Sequence, residues 1–214
     1  MASYKREACV PFKVQAALAG VDERTPRTLN QLCPQHVHRK TALGWPTMSK
    51  DPVFEALDYL RTHDLVLTTA ESCTAGAMVS LLAAVPGTGE VLESGYVVYS
   101  PSAKRRLLGV SQQTIERYGL TSEAVAWEMA LGALKDSDAT VAIASTGVAG
   151  PEPQDGIAPG TVCFAWAFAG EPLAVFTRTQ RFFGDRADII RQGALFGLSH
   201  LEHYHQRWLR GERA

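Results

Sequence analysis

The sequence predicts an α/β domain, a single three-layer unit with a mixed sheet and helices on both faces. Three observations predict it. Strand-length apolar runs at Leu65–Thr69, Glu93–Tyr99 and Thr140–Ser145 alternate with segments of helical periodicity. The run Thr140–Ser145 (TVAIAS) is almost continuously apolar, as a strand covered on both faces must be. Two later runs, Thr161–Ala169 and Leu173–Phe183, flank the turn Gly170–Glu171–Pro172 and form an antiparallel hairpin, which makes the sheet mixed.

Taken in order, the elements follow from local signals. Asp51–Pro52 supplies an N-cap and an N1 proline for a helix whose apolar residues include Val53, Leu57 and Leu60. After strand Leu65–Thr69 comes a polar elbow, Glu71–Ser72–Cys73–Thr74. A helix is expected from Cys73 to Val85, stopped by Pro86–Gly87. Strand Glu93–Tyr99 is followed by a helix from Ser100–Pro101 to Gly109, and Ser111–Tyr118 is a further helical piece closed by Gly119. Thr121–Ser122–Glu123 opens the helix Ala124–Lys135. A glycine- and proline-containing loop runs from Thr146 to Gly160, and one last helix is expected from about Asp185 to Leu209.

Composition narrows the function. The 214 residues suit one domain of roughly 150–170 residues plus an extension. The net charge of −1 gives no global bias toward nucleic acid or membrane, yet it is unevenly spread. Residues 1–47 hold 7 Lys/Arg and 3 Asp/Glu, a net of +4, which leaves 14 and 19, a net of −5, for residues 48–214. Residues 1–47 therefore read as a poorly ordered extension, with a short helix at Val10–Gly20 and a natural start at Met48, and residues 48–210 as the domain. The four cysteines form no C-x-x-C pair, so a reduced, cytoplasmic setting is the default. No apolar run approaches the ~20 residues of a membrane span.

Three constellations could carry chemistry. Ser72 sits at a strand-to-helix turn, where unpaired N–H groups can cap through the serine or hold an oxyanion beside a serine nucleophile. Tyr99 and Lys104 occupy the equivalent turn after the next strand; a partly desolvated lysine can act as the serine's base, and a surface lysine with a rim tyrosine is the plainer account. Ser145–Thr146–Gly147–Val148–Ala149–Gly150–Pro151 runs from the buried strand into a loop able to present N–H groups to a phosphate or carboxylate, or simply to turn tightly. At Gly184–Asp185–Arg186, an arginine in a first helical turn opposes the dipole, so it is either a clamp for an anion or a solvated side chain. His200, His203 and His205 read as an exposed cluster, not a metal site.

These motifs in this order, AESCTAG, SGYVVYSPSAKRRLLGV, YGLTSEAVAWEMALGAL, STGVAGP, PGTV and FFGDR, resemble the CinA C-terminal domain family, the nicotinamide-mononucleotide amidases, from about Val53 to His200. The resemblance implies a stand-alone enzyme that hydrolyses nicotinamide mononucleotide to nicotinate mononucleotide and ammonia in pyridine-nucleotide salvage. It implies Ser72 as nucleophile and Lys104 and Tyr99 beside it. Cys73 and Thr74 N–H groups would hold the oxyanion, and Thr146, Gly147, Gly150 and Arg186 the nucleotide. No metal or cofactor is expected. A homo-oligomer is, a dimer first, with Trp127 and Met129 on a possible face, and neither nucleic acid nor membrane is a partner. A non-catalytic nucleotide-binding module, or an amidohydrolase for another amide, is the alternative. The sequence departs from the family at Ala75–Gly76, at Pro101, and above all at Pro151–Gly160 (PEPQDGIAPG), where a lysine of the family is missing and Glu152 and Asp155 stand instead.

Overall fold

The computed structural model describes residues 51–213. The extension expected over residues 1–47, with its helix at Val10–Gly20 and the start at Met48, lies outside the described residues. Helix α1 (Pro52–Thr62) is capped by the Asp51 carboxylate, which accepts the Val53 N–H at 2.9 Å, and it buries Val53, Ala56, Leu57, Tyr59 and Leu60. Strand β1 (Leu67–Glu71) is buried along its whole length. It pairs in parallel with both β2 (Leu92–Val97) and β3 (Val141–Gly147). Antiparallel to β3 runs β4 (Thr161–Phe168), and antiparallel to β4 runs β5 (Ala174–Arg181), giving the order β2-β1-β3-β4-β5. The mixed sheet is as the sequence predicts.

Helices α1, α2 (Ala77–Ala83), α6 (Arg186–Ser199) and α7 (Leu201–Leu209) cover one face. Helices α3 (Pro101–Leu108), α4 (Gln112–Tyr118) and α5 (Glu123–Lys135) cover the other. Strand alternation sorts the two cores by size. Phe164, Trp166 and Phe168 of β4 face α6 and α7, while Cys163, Ala165 and Ala167 face α5. Each fully buried large apolar side chain contributes about 1.5–3 kcal/mol. The buried Trp166 indole also donates to the Gly197 carbonyl at 2.8 Å, so its burial leaves no polar atom unpaired. On the other side the small strand residues let α5 lie close. Helix α5 in turn touches α3 at Gly132, where an added Cβ would collide with the Leu108 carbonyl. Met129 is fully buried in this layer, contrary to its expected place on a dimer face; Trp127, on the outer side of α5, is 41% exposed. Among the described residues no helix is long and apolar enough to cross a membrane.

The last helical segment also differs from expectation, because it divides at His200. The bend redirects the chain so that Leu201, Tyr204 and His205 stay buried, with Tyr204 stacked on Trp166 at 4.3 Å. His205 is buried rather than exposed, its Nδ1 2.9 Å from the Tyr59 hydroxyl. Among the described residues no His, Cys, Asp and Glu side chains are grouped as a metal site.

The topology opens a crevice. The connection from β1 to β2 passes over one face through α2. The connection from β2 to β3 passes over the other through α3, α4 and α5, skipping β1. At such a switch point the C-terminal ends of the strands part and the loops leave room for a ligand. Register places Glu71 opposite both Val97 and Ser145, so the next residue of each chain segment (Ser72 and Val98 just beyond their strands, Thr146 near the end of β3) meets at one rim.

Candidate active site

The elbow after β1 is built by a buried carboxylate. The Ser72 N–H donates to the Ser145 carbonyl at 2.9 Å and extends the β1–β3 ladder by one residue. The chain then turns through Ala75 (φ 54°) and Gly76 (φ 89°), and α2 begins only at Ala77. The helix expected from Cys73 therefore starts four residues late, and Ser72 is not its N-cap. Two consecutive left-handed residues cannot belong to a right-handed helix. The unpaired N–H groups of α2 are met instead by Glu71, which is 0% exposed: its carboxylate accepts from Gly76 at 3.0 Å, Met78 at 3.2 Å and Val79 at 3.2 Å, and from the Thr69 hydroxyl at 3.3 Å. The positive end of α2 is thus directed at Glu71 and not at an incoming ligand. Thr74 pins the turn to β3 through a 2.7 Å hydrogen bond with Ser145.

Lys104 lies in the first turn of α3, behind the N-cap Ser100 and the N1 Pro101. Helical side chains lean toward the N-terminus, so a lysine there reaches back over the end of β2. Its Nζ lies 2.8 Å from the Val98 carbonyl, 3.1 Å from the Tyr99 carbonyl and 2.7 Å from Ser72 Oγ. Lys104 is 2% exposed and has no carboxylate partner among the described residues. Burial lowers its pKa to about 8, against a smaller opposing influence from Cys73. A charge in the first turn of α3 also opposes the helix dipole. The elbow also carries the Cys73 thiol, and burial pushes it up to about 12, so it stays protonated at neutral pH.

Ser72, Cys73 and Lys104 form the floor of a cleft of about 340 Å³. One wall comes from Tyr99–Pro101, the other from Thr146–Gly150, with Glu152, Gln154 and Arg186 at the margin. Arg186 straps the two walls together: Nη1 donates to the Gly150 carbonyl at 2.6 Å and Nη2 to the Tyr99 hydroxyl at 2.7 Å. Thr146 is held from outside, its hydroxyl donating to the Leu120 carbonyl at 2.9 Å. Gly147 has no room for a Cβ against Val162 and the Thr161 carbonyl, and Gly150 turns with φ 86°.

The CinA C-terminal domain family matches residues 52–205, the whole of this architecture up to α7. The chain belongs to that family. It is 44% identical over 143 residues to Protein YdeJ of Escherichia coli (strain K12), covering 66% of this chain and 81% of that one. It is 44% identical over 133 residues to the nicotinamide-nucleotide amidohydrolase PncC of Enterobacter agglomerans, covering 62% of this chain and 80% of that one. Among solved structures, the competence or damage-inducible protein of Enterobacter asburiae superposes with a TM-score of 0.68 at 40% identity, over 72% of this chain and 95% of that one.

Of the residues singled out in the sequence, Ser72, Cys73, Lys104, Tyr99, Thr146, Gly147, Gly150 and Arg186 all line the one cleft. Thr74 does not; it is 1% exposed and turned toward Ser145. Tyr99 enters in two parts: its carbonyl holds Lys104, and its hydroxyl binds Arg186 rather than Ser72. Two residues went unassigned. Glu71 belongs to the elbow motif, but its partners lie five to eight residues later and no local pattern announces them. Leu120 acts only through its carbonyl, to which side-chain chemistry is blind.

Proposed function

We propose that this protein is a nicotinamide-nucleotide amidase, which hydrolyses the carboxamide of nicotinamide mononucleotide to nicotinate mononucleotide and ammonia by a serine–lysine mechanism. The observation that carries the reading is the environment of Lys104 Nζ. A neutral amine has two N–H groups and one lone pair. The Val98 and Tyr99 carbonyls accept the two N–H groups, and the lone pair is left for the Ser72 hydroxyl at 2.7 Å. Burial without a counter-ion keeps the neutral form accessible near neutral pH. The 44% identity to an enzyme named for this reaction supports the substrate.

In this reading Lys104 takes the Ser72 proton as Oγ attacks the carboxamide carbon. The Cys73 N–H, which has no oxygen acceptor among the described residues, holds the tetrahedral oxyanion. Collapse breaks the C–N bond, and Lys104 passes its proton to the departing ammonia. A water then gives a proton to Lys104 and attacks the acyl ester; Ser72 Oγ leaves and regains the proton. Thr74 fixes the turn, the Thr146–Gly150 backbone holds the nucleoside, and Arg186 meets the phosphate end. The site uses no co-reactant but water. The buried free thiols of Cys73 and Cys163 suit a reducing compartment, so we place the enzyme in the cytoplasm, in pyridine-nucleotide salvage.

Ammonia release from nicotinamide mononucleotide tests this directly. Wild-type protein releases ammonia, and Ser72→Ala loses about a thousandfold or more with its fold intact. No release by folded wild-type protein sinks the reading. Release from a different amide would then assign another amidohydrolase, and nucleotide binding without turnover a regulatory module.

A further inference from the structure

Helix α3 carries Lys104 into the cleft on one side and shows a different chemistry on the other. Ser102, Arg105 and Arg106 stand at i, i+3 and i+4, so they share one face of the helix, and all three are exposed. With Val110 and Gln112 they line a hollow of about 470 Å³ that has no residue in common with the cleft over Ser72. Most arginines of the described residues have a partner. Arg61, Arg207 and Arg210 lie against carboxylates, and Arg117, Arg178 and Arg181 over aromatic rings. Arg105 and Arg106 have neither among the described residues. They stand unpaired although carboxylates outnumber cations over residues 48–214, 19 to 14. Two carboxylates touch the segment that follows α3, and both are engaged. Glu116 accepts from the Gln112 amide at 2.7 Å, and Glu128 from the Ser111 N–H at 2.7 Å and the Thr114 hydroxyl at 2.6 Å.

The donors converge. Helical side chains lean toward the N-terminus, which brings both guanidiniums back toward Ser102. Ser100 Oγ accepts the Ala103 N–H and lies 3.0 Å from Ser102 Oγ, so it can give its own proton to Ser102 and leave the Ser102 O–H for a ligand. Guanidinium forks match phosphate oxygens in pairs, and the hollow is roomier than one phosphoryl group needs. We propose that the outer face of α3 is a binding site for a pyrophosphate group, with one phosphoryl on each guanidinium and the Ser102 hydroxyl as a further donor. The site is separate from the cleft and stands whatever the cleft hydrolyses. Free pyrophosphate and a nucleoside diphosphate both carry this group. A bound ligand ties the first turn of α3 to its last and stabilises the folded chain by mass action.

Thermal unfolding in metal-free buffer tests this, with inorganic pyrophosphate, adenosine diphosphate and sulfate compared at matched ionic strength. The wild-type Tm rises saturably with pyrophosphate, by about 4 °C at about ten times Kd. Replacing both arginines, Arg105→Gln with Arg106→Gln, weakens binding about tenfold or more. Ser102→Ala weakens it about threefold, and Arg186→Gln, in the cleft, leaves it unchanged. Circular dichroism confirms that the variants keep the fold, and each shift is read against the same variant without ligand. An equal response to adenosine diphosphate assigns the site to a nucleotide, and a response to pyrophosphate alone assigns it to the free anion; both support the proposal. No shift in wild type, an equal shift with sulfate, a shift kept by the double variant, or one abolished by Arg186→Gln overturns it.

Discussion

Replacing Lys104 by methionine separates its chemistry from its structural role. The folded state lowers the pKa of this amine from 10.5 to about 8. The difference of about 2.5 units, at about 1.36 kcal/mol each, is a cost of about 3 kcal/mol for carrying the charged lysine at pH 7. Methionine removes that cost. It also takes a donor from the Val98 and Tyr99 carbonyls, at about 1 kcal/mol each. Lys104→Met is therefore expected to be as stable as wild type at pH 7, or more stable by about 1 kcal/mol, in urea or thermal melts. Its ammonia release falls by about 10²–10⁴-fold, the worth of a general base. The pH profile gives a second measure. In the proposed mechanism the neutral amine is the active form, so activity is expected to rise with pH. With a pKa of about 8 the neutral fraction is about 1/11 at pH 7 and about 10/11 at pH 9, so wild-type kcat/KM rises about tenfold between them. A flat profile from pH 7 to 9, or a methionine variant that keeps a tenth of the activity, would refute the assignment of Lys104 as base. A variant that loses several kcal/mol of stability would refute the claim that burying this amine is costly.

Other substitutions probe the scaffold. Glu71→Gln weakens the hydrogen bonds to three backbone N–H groups and aims an amide at other donors; we expect a loss of about 1–3 kcal/mol in urea unfolding, with kcat reduced through the displaced Ser72. Gly132→Ala drives a methyl into the Leu108 carbonyl and should destabilise by about 3 kcal/mol, read as a lowered Tm. Burial, and then the nearby charge of His63, lowers the His205 pKa below its ordinary 6.5. The stability this imidazole contributes is therefore complete above pH 6.5 and is lost as pH falls toward the lower folded value; His205→Gln should flatten part of the Tm drop between pH 7 and 5.

Much of the fold was legible in the sequence because its strands differ in kind. The continuous apolar run Thr140–Ser145 marked the central strand, and the hairpin turn at Gly170–Pro172 marked the antiparallel edge. The meeting of Ser72 with Lys104 was also foreseeable, since both follow parallel strands at the same rim. What escaped depends on contacts distant in the chain. The late start of α2 follows from Ala75 and Gly76 in left-handed conformation and from Glu71 reaching past them, and nothing in AESCTAG signals a helix delayed by four residues. The Tyr99 hydroxyl was expected beside the serine; its partner is Arg186, 87 positions later. Met129 was placed on the surface because α5 is apolar nearly all round, a pattern that conceals which side faces the sheet.

Lys104 Nζ is oriented by the peptide oxygens of Val98 and Tyr99 and, among the described residues, by one side chain, that of Ser72. Any two residues could supply those oxygens, provided the strand keeps its path into the α3 cap. The Ser72–Lys104 pair is thereby decoupled from the chemistry of the wall beside it. Tyr99 can mutate without removing the carbonyl that holds the amine, and the loop carrying Glu152 can drift without touching Ser72. For the proposed amidase, a site wired this way leaves the margin of the cleft free to change while the Ser72–Lys104 pair keeps its geometry.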